Sequence, residues 1–335
     1  MHSCVWLTAT GTLLGLGNCY SESSNTHRFF TCFAQELQYI EYFAGDAQCF
    51  KAVKNAKVRG CAVDIKYLVD GEYKKWNSFD LLTPPGLALA VWLLLQARED
   101  SFFAMFAIVC SSWVAINRGS SFRSLLLPEG FVEGRHYVRL ANTLASRSIC
   151  LILLTVARGG SFMVEQPGSS ILRYYGRFDS LCRTIRVYST SWWMRHYGSD
   201  TPKRSKGYSN NKHIGKINAG RLTRANSSNP SVRTSKVYYD KQGRRRYCGT
   251  AQLKRTENYP VRFGWKIVRL LPALVREGKG KPQNVPQDLH GPTYFASLDL
   301  DDWEEAELTD VCHYLRGGTD LCCPLEWKQV FPTHL

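Results

Sequence analysis

Five residues that could do chemistry stand at the ends of predicted segments: Gly45, Asp64, Asp80, Cys110 and Glu165. If the strands among these segments are parallel, their carboxyl ends share one edge of a sheet, where open α/β sheets bind ligands. A glycine between a strand and a helix lets a ligand approach the backbone, and an acid after the next strand can hold ribose hydroxyls. A cysteine at such an edge can act as a nucleophile. The sequence therefore predicts a nucleoside-binding site with a thiol nearby.

Each of these residues also has a plainer interpretation. A glycine turn between a strand and a helix is often purely structural, Cys110 can be an inert buried thiol, and Glu165 can be an ordinary acid at a strand end. For Cys110 to be a nucleophile, a nearby positive charge or helix N-terminus must favour its thiolate. Arg118 and Arg123 are the local cations that the sequence suggests.

The segments that must position these residues alternate between strands and helices. Over about 37–67, a strand beginning at Tyr39, a turn at Gly45, a helix and a second strand at Arg59–Ile65 form a βαβ unit. Ser101–Val109 contains a continuous apolar run, which is typical of a strand buried on both faces. The other predicted elements are helices at Gly86–Arg98, Tyr137–Ala157 and Tyr259–Leu274 and strands at Ser161–Val164 and Thr184–Ser191. This alternation predicts a doubly wound, mostly parallel α/β sheet.

Composition restricts the class of protein. With 335 residues, 44% of them hydrophobic, the chain can bury a sizeable core, which argues against a disordered protein. Its 12 cysteines lack the regular spacing of a disulfide framework, so reduced thiols in a nuclear or cytoplasmic protein are expected. The run Ile149–Ala157 is too short to span a membrane, and no membrane partner is predicted. Residues 4–17 are mildly apolar but no basic residue precedes them, so secretion is not predicted.

The formal charge of +15 is concentrated in one stretch of the chain. From Arg195 to Arg269 the sequence has 19 Lys and Arg residues against three acids. This concentration predicts a surface that faces a polyanion such as nucleic acid, and a solvated basic face is the alternative. Within the stretch, residues 234–247 predict a β-hairpin that turns at Asp240–Gly243. Its candidate nucleic-acid contacts are Arg244, Arg245 and Arg246.

The sequence predicts four parts. Residues 1–35 form a poorly ordered lead-in, 36–210 plus 258–275 form the α/β domain, 211–257 form a basic insertion, and 276–335 form a linker and an acidic C-terminal tail. Four potential metal ligands in the tail have adjacencies that fit zinc spacing poorly, so no metal site is predicted. These four are Cys312, His313, Cys322 and Cys323.

From Tyr39 to about Leu271, the order of these motifs resembles that of the cytosine-C5 DNA methyltransferases, which use S-adenosylmethionine. Glu41–Gly45 is similar to the first motif of the family, an apolar strand that ends in Phe-x-Gly. The resemblance implies that Phe43, Ala44 and Gly45 bind the cofactor, that Asp64 holds its ribose, and that Asp80 lies near its adenine. Ala47 stands where the first motif usually has a further glycine.

The later motifs resemble the catalytic half of the same family. Cys110–Trp113 falls where the family has its nucleophile loop, and Val164–Pro167 is similar to its Glu-Asn-Val motif. Tyr197–Lys206 resembles the segment Tyr-Gly-x-Pro-Gln-x-Arg-x-Arg, with Arg204 and Lys206 in the basic positions. The implied catalytic residues are Cys110, Glu165 and Arg204, and Lys206 is assigned to nucleic-acid binding.

The mechanism implied by the resemblance is methylation of a cytosine. The Cys110 thiolate would add to C6 of the base, Glu165 would hold the N3 side, and C5 would take the methyl group from the cofactor. The base must leave its stack to reach such a site, and the basic insertion lies where the family carries its target-recognition region. The resemblance favours DNA over RNA as the partner. Two alternatives stay open: a methyltransferase that acts on RNA or on a different atom, and a catalytically lapsed fold that only binds nucleic acid.

Overall fold

One six-stranded sheet organises the protein. The structure is a computed structural model that describes residues 6–7, 13–14, 37–67, 77, 79–223 and 234–276. The strands of the sheet are, in chain order, Tyr39–Tyr42 (β1), Gly60–Val63 (β2), Phe103–Phe106 (β3), Ser161–Pro167 (β4), Tyr188–Trp193 (β5) and Arg204–Ser209 (β6). Across the sheet they lie in the order β2-β1-β3-β4-β6-β5. The first four run parallel, and β6 is antiparallel to both β4 and β5. The protein is therefore an α/β protein with a mostly parallel sheet, which is compatible with a Rossmann-like fold.

Two further strand pairs lie outside this sheet. Ser235–Tyr239 (β7) and Arg245–Gly249 (β8) form an antiparallel hairpin. Trp6–Leu7 pairs with Leu13–Leu14. The hairpin predicted at residues 234–247 is thus confirmed.

Helices connect most of the strands. The described α-helices are Gln48–Asn55 (α1), Pro84–Leu95 (α2), Arg118–Ser121 (α3), His136–Ala157 (α4), Gly176–Thr184 (α5), Ala251–Arg255 (α6) and Val261–Arg276 (α7). Short 3-10 helices lie at Ile65–Tyr67, Ala115–Asn117, Leu172–Tyr174, Met194–Tyr197 and Lys212–Ile217.

Hydrophobic cores lie on both faces of the sheet. Ile40 and Tyr42 of β1 belong to a core that includes residues of α2, α4 and α5. Tyr39 of the same strand and Phe103 of β3 belong to a second core with α1 and α7. Both cores therefore draw on β1 and β3, which explains why β3 is a continuous apolar run without polar alternation.

The βαβ unit predicted over residues 37–67 is confirmed, with β1, α1 and β2 in that order. The helix predicted from Gly86 begins two residues earlier, at Pro84. Thr83 caps it, because its Oγ1 accepts a hydrogen bond from the Gly86 N–H at 3.1 Å. Pro84 and Pro85 suit the first turn, where backbone N–H groups have no partner within the helix.

The strand predicted at Thr184–Ser191 is wrong at its start. Thr184 ends α5, and the strand runs from Tyr188 to Trp193. Neither α5 nor β6 was expected from the sequence. The β6 sequence is polar and lacks β-branched residues, so strand propensity gives no signal there. Gly207 in β6 is required by packing, since a Cβ there would lie 2.9 Å from the ring of Trp192.

Among the described residues, α4 alone is long and apolar enough to cross a membrane by length and composition. From the sequence, only Ile149–Ala157 was assessed as a membrane span, because Arg147 interrupts the apolar run of the helix. Residues such as Ala145, Ile149 and Ile152 are buried in the core that α4 shares with the sheet. Burial of this kind is usual for a helix that covers a sheet in an α/β protein.

Several predictions fall outside the described residues. They concern most of the lead-in at 1–35, the linker over 278–291, the acidic segment Asp299–Asp310 and the cysteine and histidine residues of the tail.

Gly264 allows α7 to approach α1 closely. A Cβ at Gly264 would lie 2.8 Å from the backbone oxygen of Gln48 and 3.1 Å from the Ala52 Cβ. Because the first of these neighbours is backbone, it cannot move without shifting α1. This contact holds α1, and with it the turn that follows β1, against the sheet.

We expect Gly264→Ala to lower the free energy of unfolding by about 1–3 kcal/mol, because the added methyl group overpacks the contact between α1 and α7. Alanine alone favours a helix interior by about 1 kcal/mol over glycine, so this gain opposes the loss. Denaturant unfolding followed by circular dichroism measures the difference. Gly215→Ala is the matched control, since no atom lies within 4 Å of a Cβ at that exposed position, and it should change stability by less than about 0.5 kcal/mol. Equal stability of both variants would contradict the packing argument.

Candidate functional site

The chain changes its direction along the sheet after β1. From β1 it moves to β2 on one side and then to β3 on the other. Ligands of open α/β sheets bind at such a switch point, outside the carboxyl ends of the strands. Gly45 follows β1, Asp64 follows β2 and Cys110 follows β3, while Glu165 lies in β4 just past the residue that pairs with the end of β3. The structure thus brings four of the five predicted residues to one edge of the sheet.

Gly45 and Asp64 are in direct contact. The Gly45 N–H donates a hydrogen bond to Asp64 Oδ2 at 2.7 Å, and the Lys66 N–H donates to Oδ1 at 2.9 Å. In the described part of the chain, the nearest neighbour of a Cβ placed on Gly45 would be Lys66 Nζ, at 4.0 Å. The backbone at Gly45 is therefore open to the close approach of a ligand, with a carboxylate beside it.

The turn between β1 and α1 has an unusual backbone. Phe43, Gly45 and Ala47 have φ values of 58°, 56° and 52°, so three alternate residues are left-handed. For a residue other than glycine this conformation costs about 1–2 kcal/mol. Ala47 therefore holds the conformation that the glycine of the resembling motif would adopt easily. Ala44, which lies between them, is buried and donates its N–H to the Val63 carbonyl at 3.1 Å.

Asp80 lies at the start of α2. It is buried, and its Oδ1 accepts a hydrogen bond from the Leu82 N–H at 2.9 Å. Its backbone packs so tightly against Gly86 that a Cβ there would lie 1.9 Å from the Asp80 oxygen. These contacts give Asp80 a role in shaping the N-terminus of α2. The residues just before it, 68–76 and 78, lie outside the described part, so its predicted place near an adenine stays a prediction.

Glu41 is a buried carboxyl that the sequence analysis did not assign to the site. It lies within β1, and its Oε2 accepts a hydrogen bond from the Phe50 N–H in the first turn of α1 at 2.7 Å. The N-cap residue of α1, Ala47, has no side chain that could do this. Burial raises the pKa of Glu41 to about 8, and the negative charge of Asp64 adds to the rise, while the hydrogen bond from Phe50 opposes it. Glu41 is thus a remote cap for α1 that keeps its proton at neutral pH.

Cys110 is half-buried and carries a thiol, not a thiolate, at neutral pH. Burial raises the pKa of Cys110, and the charges of Glu165 and Glu257 raise it further. The positive charge of Lys203 lowers it. The Cys110 carbonyl accepts hydrogen bonds from the N–H groups of the next turn, at 2.9 Å from Trp113.

The two arginines that the sequence suggested as cations for Cys110 have other roles. Arg123 is buried, its guanidinium lies 3.5 Å from the centre of the Trp113 ring, and it donates hydrogen bonds to Ser112, Pro128 and Asn142. Arg118 donates to the Ala115 carbonyl at 3.3 Å. Arg123 therefore fixes the loop that follows Cys110, and the cation that favours the thiolate is Lys203.

Glu165 is buried between two partners. Tyr259 donates its hydroxyl hydrogen to Oε2 at 3.0 Å, and Lys203 Nζ lies 3.9 Å from Oε1. Lys203 also donates to the carbonyl of Thr256 at 3.1 Å. Thr256 lies at the end of the predicted insertion and Tyr259 lies two residues before α7, so these contacts tie that part of the chain to Glu165.

Gln166, the next residue of β4, holds the backbone that leads from β3 to Cys110. Its Nε2 donates to the Ile108 carbonyl at 2.6 Å, and its Oε1 accepts a hydrogen bond from the Ser170 hydroxyl at 2.9 Å. It stands where the resembling motif has asparagine. The sequence analysis assigned no role to Gln166, although a side-chain amide directly after Glu165 was the signal that could have found it.

Arg204 and Lys206 point to the opposite face of the sheet from Glu165. The Arg204 guanidinium lies 5.7 Å from the centre of the Trp193 ring, and Lys206 Nζ lies 5.2 Å from that of Tyr208, which belongs to the core with α2 and α4. Side chains alternate along a strand, so Lys203 and not Arg204 shares the face of Glu165. The structure therefore places Lys203, and not Arg204, beside Glu165, and the predicted catalytic role of Arg204 stays a prediction.

The three arginines of the hairpin differ in their contacts. Arg244 and Arg246 both contact Asp240, with Nε to Oδ2 distances of 3.1 Å and 2.9 Å. The guanidinium of Arg245 lies 5.2 Å from the centre of the Tyr247 ring.

The fold is that of an α/β protein whose mostly parallel sheet brings Gly45, Asp64, Cys110 and Glu165 to one edge, around its switch point. No protein-family model matches the chain, and no curated protein matches it. Among the described residues there is also no group of three His, Cys, Asp or Glu that could hold a metal ion.

We expect Glu41→Gln to make stability less dependent on pH. A carboxyl that ionises near pH 4.5 in the unfolded chain and near pH 8 in the folded protein gives the folded state an extra proton between these values. Its contribution to stability is therefore complete below about pH 4.5 and decreases as the pH rises to about 8. Relative to wild type, Glu41→Gln should gain up to about 5 kcal/mol between pH 4.5 and pH 9. Denaturant unfolding across this range measures the gain, and Glu99→Gln, which changes an exposed acid, should gain nothing.

We expect Lys203→Gln to slow the alkylation of Cys110 by iodoacetamide. Loss of the positive charge removes the nearby cation that favours the thiolate, so the pH at which half of Cys110 reacts should rise. Peptide mapping by mass spectrometry separates Cys110 from the other thiols. Arg204→Gln is the matched control and should react like wild type. A shift in Arg204→Gln with none in Lys203→Gln would reverse the assignment.

Proposed function

We propose that the protein is an S-adenosylmethionine-dependent methyltransferase-like protein that acts on nucleic acid, with cytosine C5 of DNA as the target and Cys110 as the nucleophile. One observation carries the proposal. A glycine turn bonded to a carboxylate, and a thiol beside a second carboxylate, lie at neighbouring strand ends around the switch point of one sheet. A cofactor and a base must meet at such a place for a methyl group to pass between them. The basic stretch supplies the phosphate contacts.

The residues at the first half of the site fit the cofactor. The open backbone at Gly45 suits close approach, and Asp64 has acceptor capacity left for ribose hydroxyls, because a carboxylate has about four lone-pair sites and two are used by Gly45 and Lys66. The left-handed backbone at Phe43 and Ala47 holds the turn in the required shape. When bound, S-adenosylmethionine supplies a methyl group on a positively charged sulfur.

The residues at the second half fit a nucleobase. The Cys110 sulfur adds to C6 of the ring once its proton is lost, and Lys203 is the charge that favours this loss. Glu165, held by Tyr259, would form a hydrogen bond on the N3 side of the base. Addition at C6 makes C5 nucleophilic. C5 would then take the methyl group, which would leave the cofactor as its neutral thioether. Loss of the C5 proton to a base, with breakage of the sulfur–C6 bond, would restore the aromatic ring and release the Cys110 thiolate.

A catalytically lapsed protein that only binds nucleic acid is the second candidate. The raised pKa of Cys110 favours it, since burial and two nearby acids keep the thiol protonated without a ligand. The same basic stretch serves this function, and the cofactor site is then not needed.

Binding of S-adenosylmethionine, measured by calorimetry, tests the proposal. We expect saturable binding that Gly45→Ala and Asp64→Asn each weaken at least about tenfold, because one removes the open approach and the other a charged acceptor worth about 1.5–3 kcal/mol. Gly220→Ala is the matched control for the backbone, since Gly220 has a φ of 91° and, among the described residues, no atom lies within 4 Å of its Cβ position. It should bind like wild type. No binding by the folded wild-type protein would refute the enzyme and leave the nucleic-acid-binding function.

A further inference from the structure

The hairpin β7–β8 has two different faces. Cross-strand partners share a face, and the pairs Tyr239 with Arg245 and Val237 with Tyr247 lie on the same one, which we call the ribbon outer face. Tyr239 is 69% exposed and Tyr247 is 50% exposed. Tyr238 lies on the opposite face, paired with Arg246. The ribbon outer face therefore presents two exposed aromatic rings and an apolar side chain around one arginine.

Two of the positive charges of the hairpin are paired with an acid within the hairpin itself. Asp240 in the turn binds Arg244 and Arg246. Hydrogen bonds from the Arg244 backbone N–H and from Arg246 hold the pKa of Asp240 below its usual value, so it is ionised at neutral pH. These contacts orient two of the three consecutive arginines toward the turn. Arg245 instead lies over the ring of Tyr247, on the ribbon outer face.

Exposed rings beside an arginine match the chemistry of unpaired bases. Bases stack on tyrosine rings and on arginine regardless of sequence, with a gain of about 1–3 kcal/mol per base. A duplex keeps the faces of its bases inside the stack and offers only base edges, which polar side chains such as Asn, Gln and Arg read. The ribbon outer face has little of that polarity. A bare two-stranded hairpin is also at best marginally stable in water, so a partner that covers the rings would complete it.

We propose that the ribbon outer face binds single-stranded nucleic acid, with Tyr239 and Tyr247 stacked on unpaired bases and Arg245 beside a phosphate. This inference rests on the proposed function, because it specifies the form in which nucleic acid is bound. It also narrows that function, since a base that is already unpaired reaches a site without disruption of a duplex.

Fluorescence anisotropy tests the inference with the full-length chain. The probe is a labelled DNA strand of about 20 nucleotides without self-complementarity, used alone and annealed to its complement, and its length exceeds the 4–16 nucleotides that one binding module covers. We expect tighter binding of the single strand. Tyr239→Ala and Tyr247→Ala should each weaken it about 5- to 150-fold, whereas Tyr239→Phe should retain most of the affinity.

Tyr238→Ala is the matched control, because it removes an equally large exposed ring from the opposite face. It should bind the single strand like wild type. Tighter binding of the duplex, or equal losses in Tyr238→Ala and Tyr239→Ala, would overturn the inference. Calorimetry with S-adenosylmethionine separates the two proposals. Cofactor binding without a preference for single strands refutes only this inference. A preference for single strands without cofactor binding refutes only the proposed enzyme activity.

Discussion

The hydrogen bond between Glu41 and the Phe50 N–H is the interaction on which the candidate site depends. The helix α1 starts after a turn with three left-handed residues, and its own N-cap position offers no acceptor. A carboxyl from the middle of β1 supplies it across nine residues of chain. Because Glu41 is fixed in β1, an interior strand of the sheet, the first turn of α1 and the loop at Gly45 are fixed relative to the sheet. Asp64 then holds the same loop from the end of β2.

The second half of the site depends on a different set of tethers. Gln166 holds the backbone before Cys110, Arg123 holds the loop after it, and Tyr259 holds Glu165. Lys203 contacts both Glu165 and Thr256. The segment that returns from the hairpin to the main body is therefore in contact with the residues proposed to bind a base. The proposed nucleic-acid binding and the proposed chemistry at Cys110 would therefore share this stretch of chain.

The sequence was sufficient for elements with a strong local signal. The apolar run before Cys110, the glycine turn after β1 and the hairpin at Asp240 depend on composition and turn residues, and the structure has all of them. Signals failed where tertiary contacts decide. β6 is polar and is a strand only because it lies between β4 and β5. Its pairing with β4 sets which side chains face each side of the sheet, so that Lys203 rather than Arg204 faces Glu165. The sequence analysis treated Glu41 only as part of a motif. Its role as a cap for α1 was missed, because the burial of a single carboxyl cannot be recognised from the sequence.

The left-handed backbone at Phe43 and Ala47 has a consequence for how a ligand would be held. Glycine at these positions would relieve the conformation but would leave the unfolded chain and the empty loop with more freedom. The hydrogen bonds to Glu41, to Asp64 and from Ala44 to Val63 hold the loop in this shape, so less entropy would be lost when a ligand binds against it. The free-energy cost of this backbone conformation is therefore part of folding. A ligand bound at Gly45 would meet a loop that the fold has already ordered.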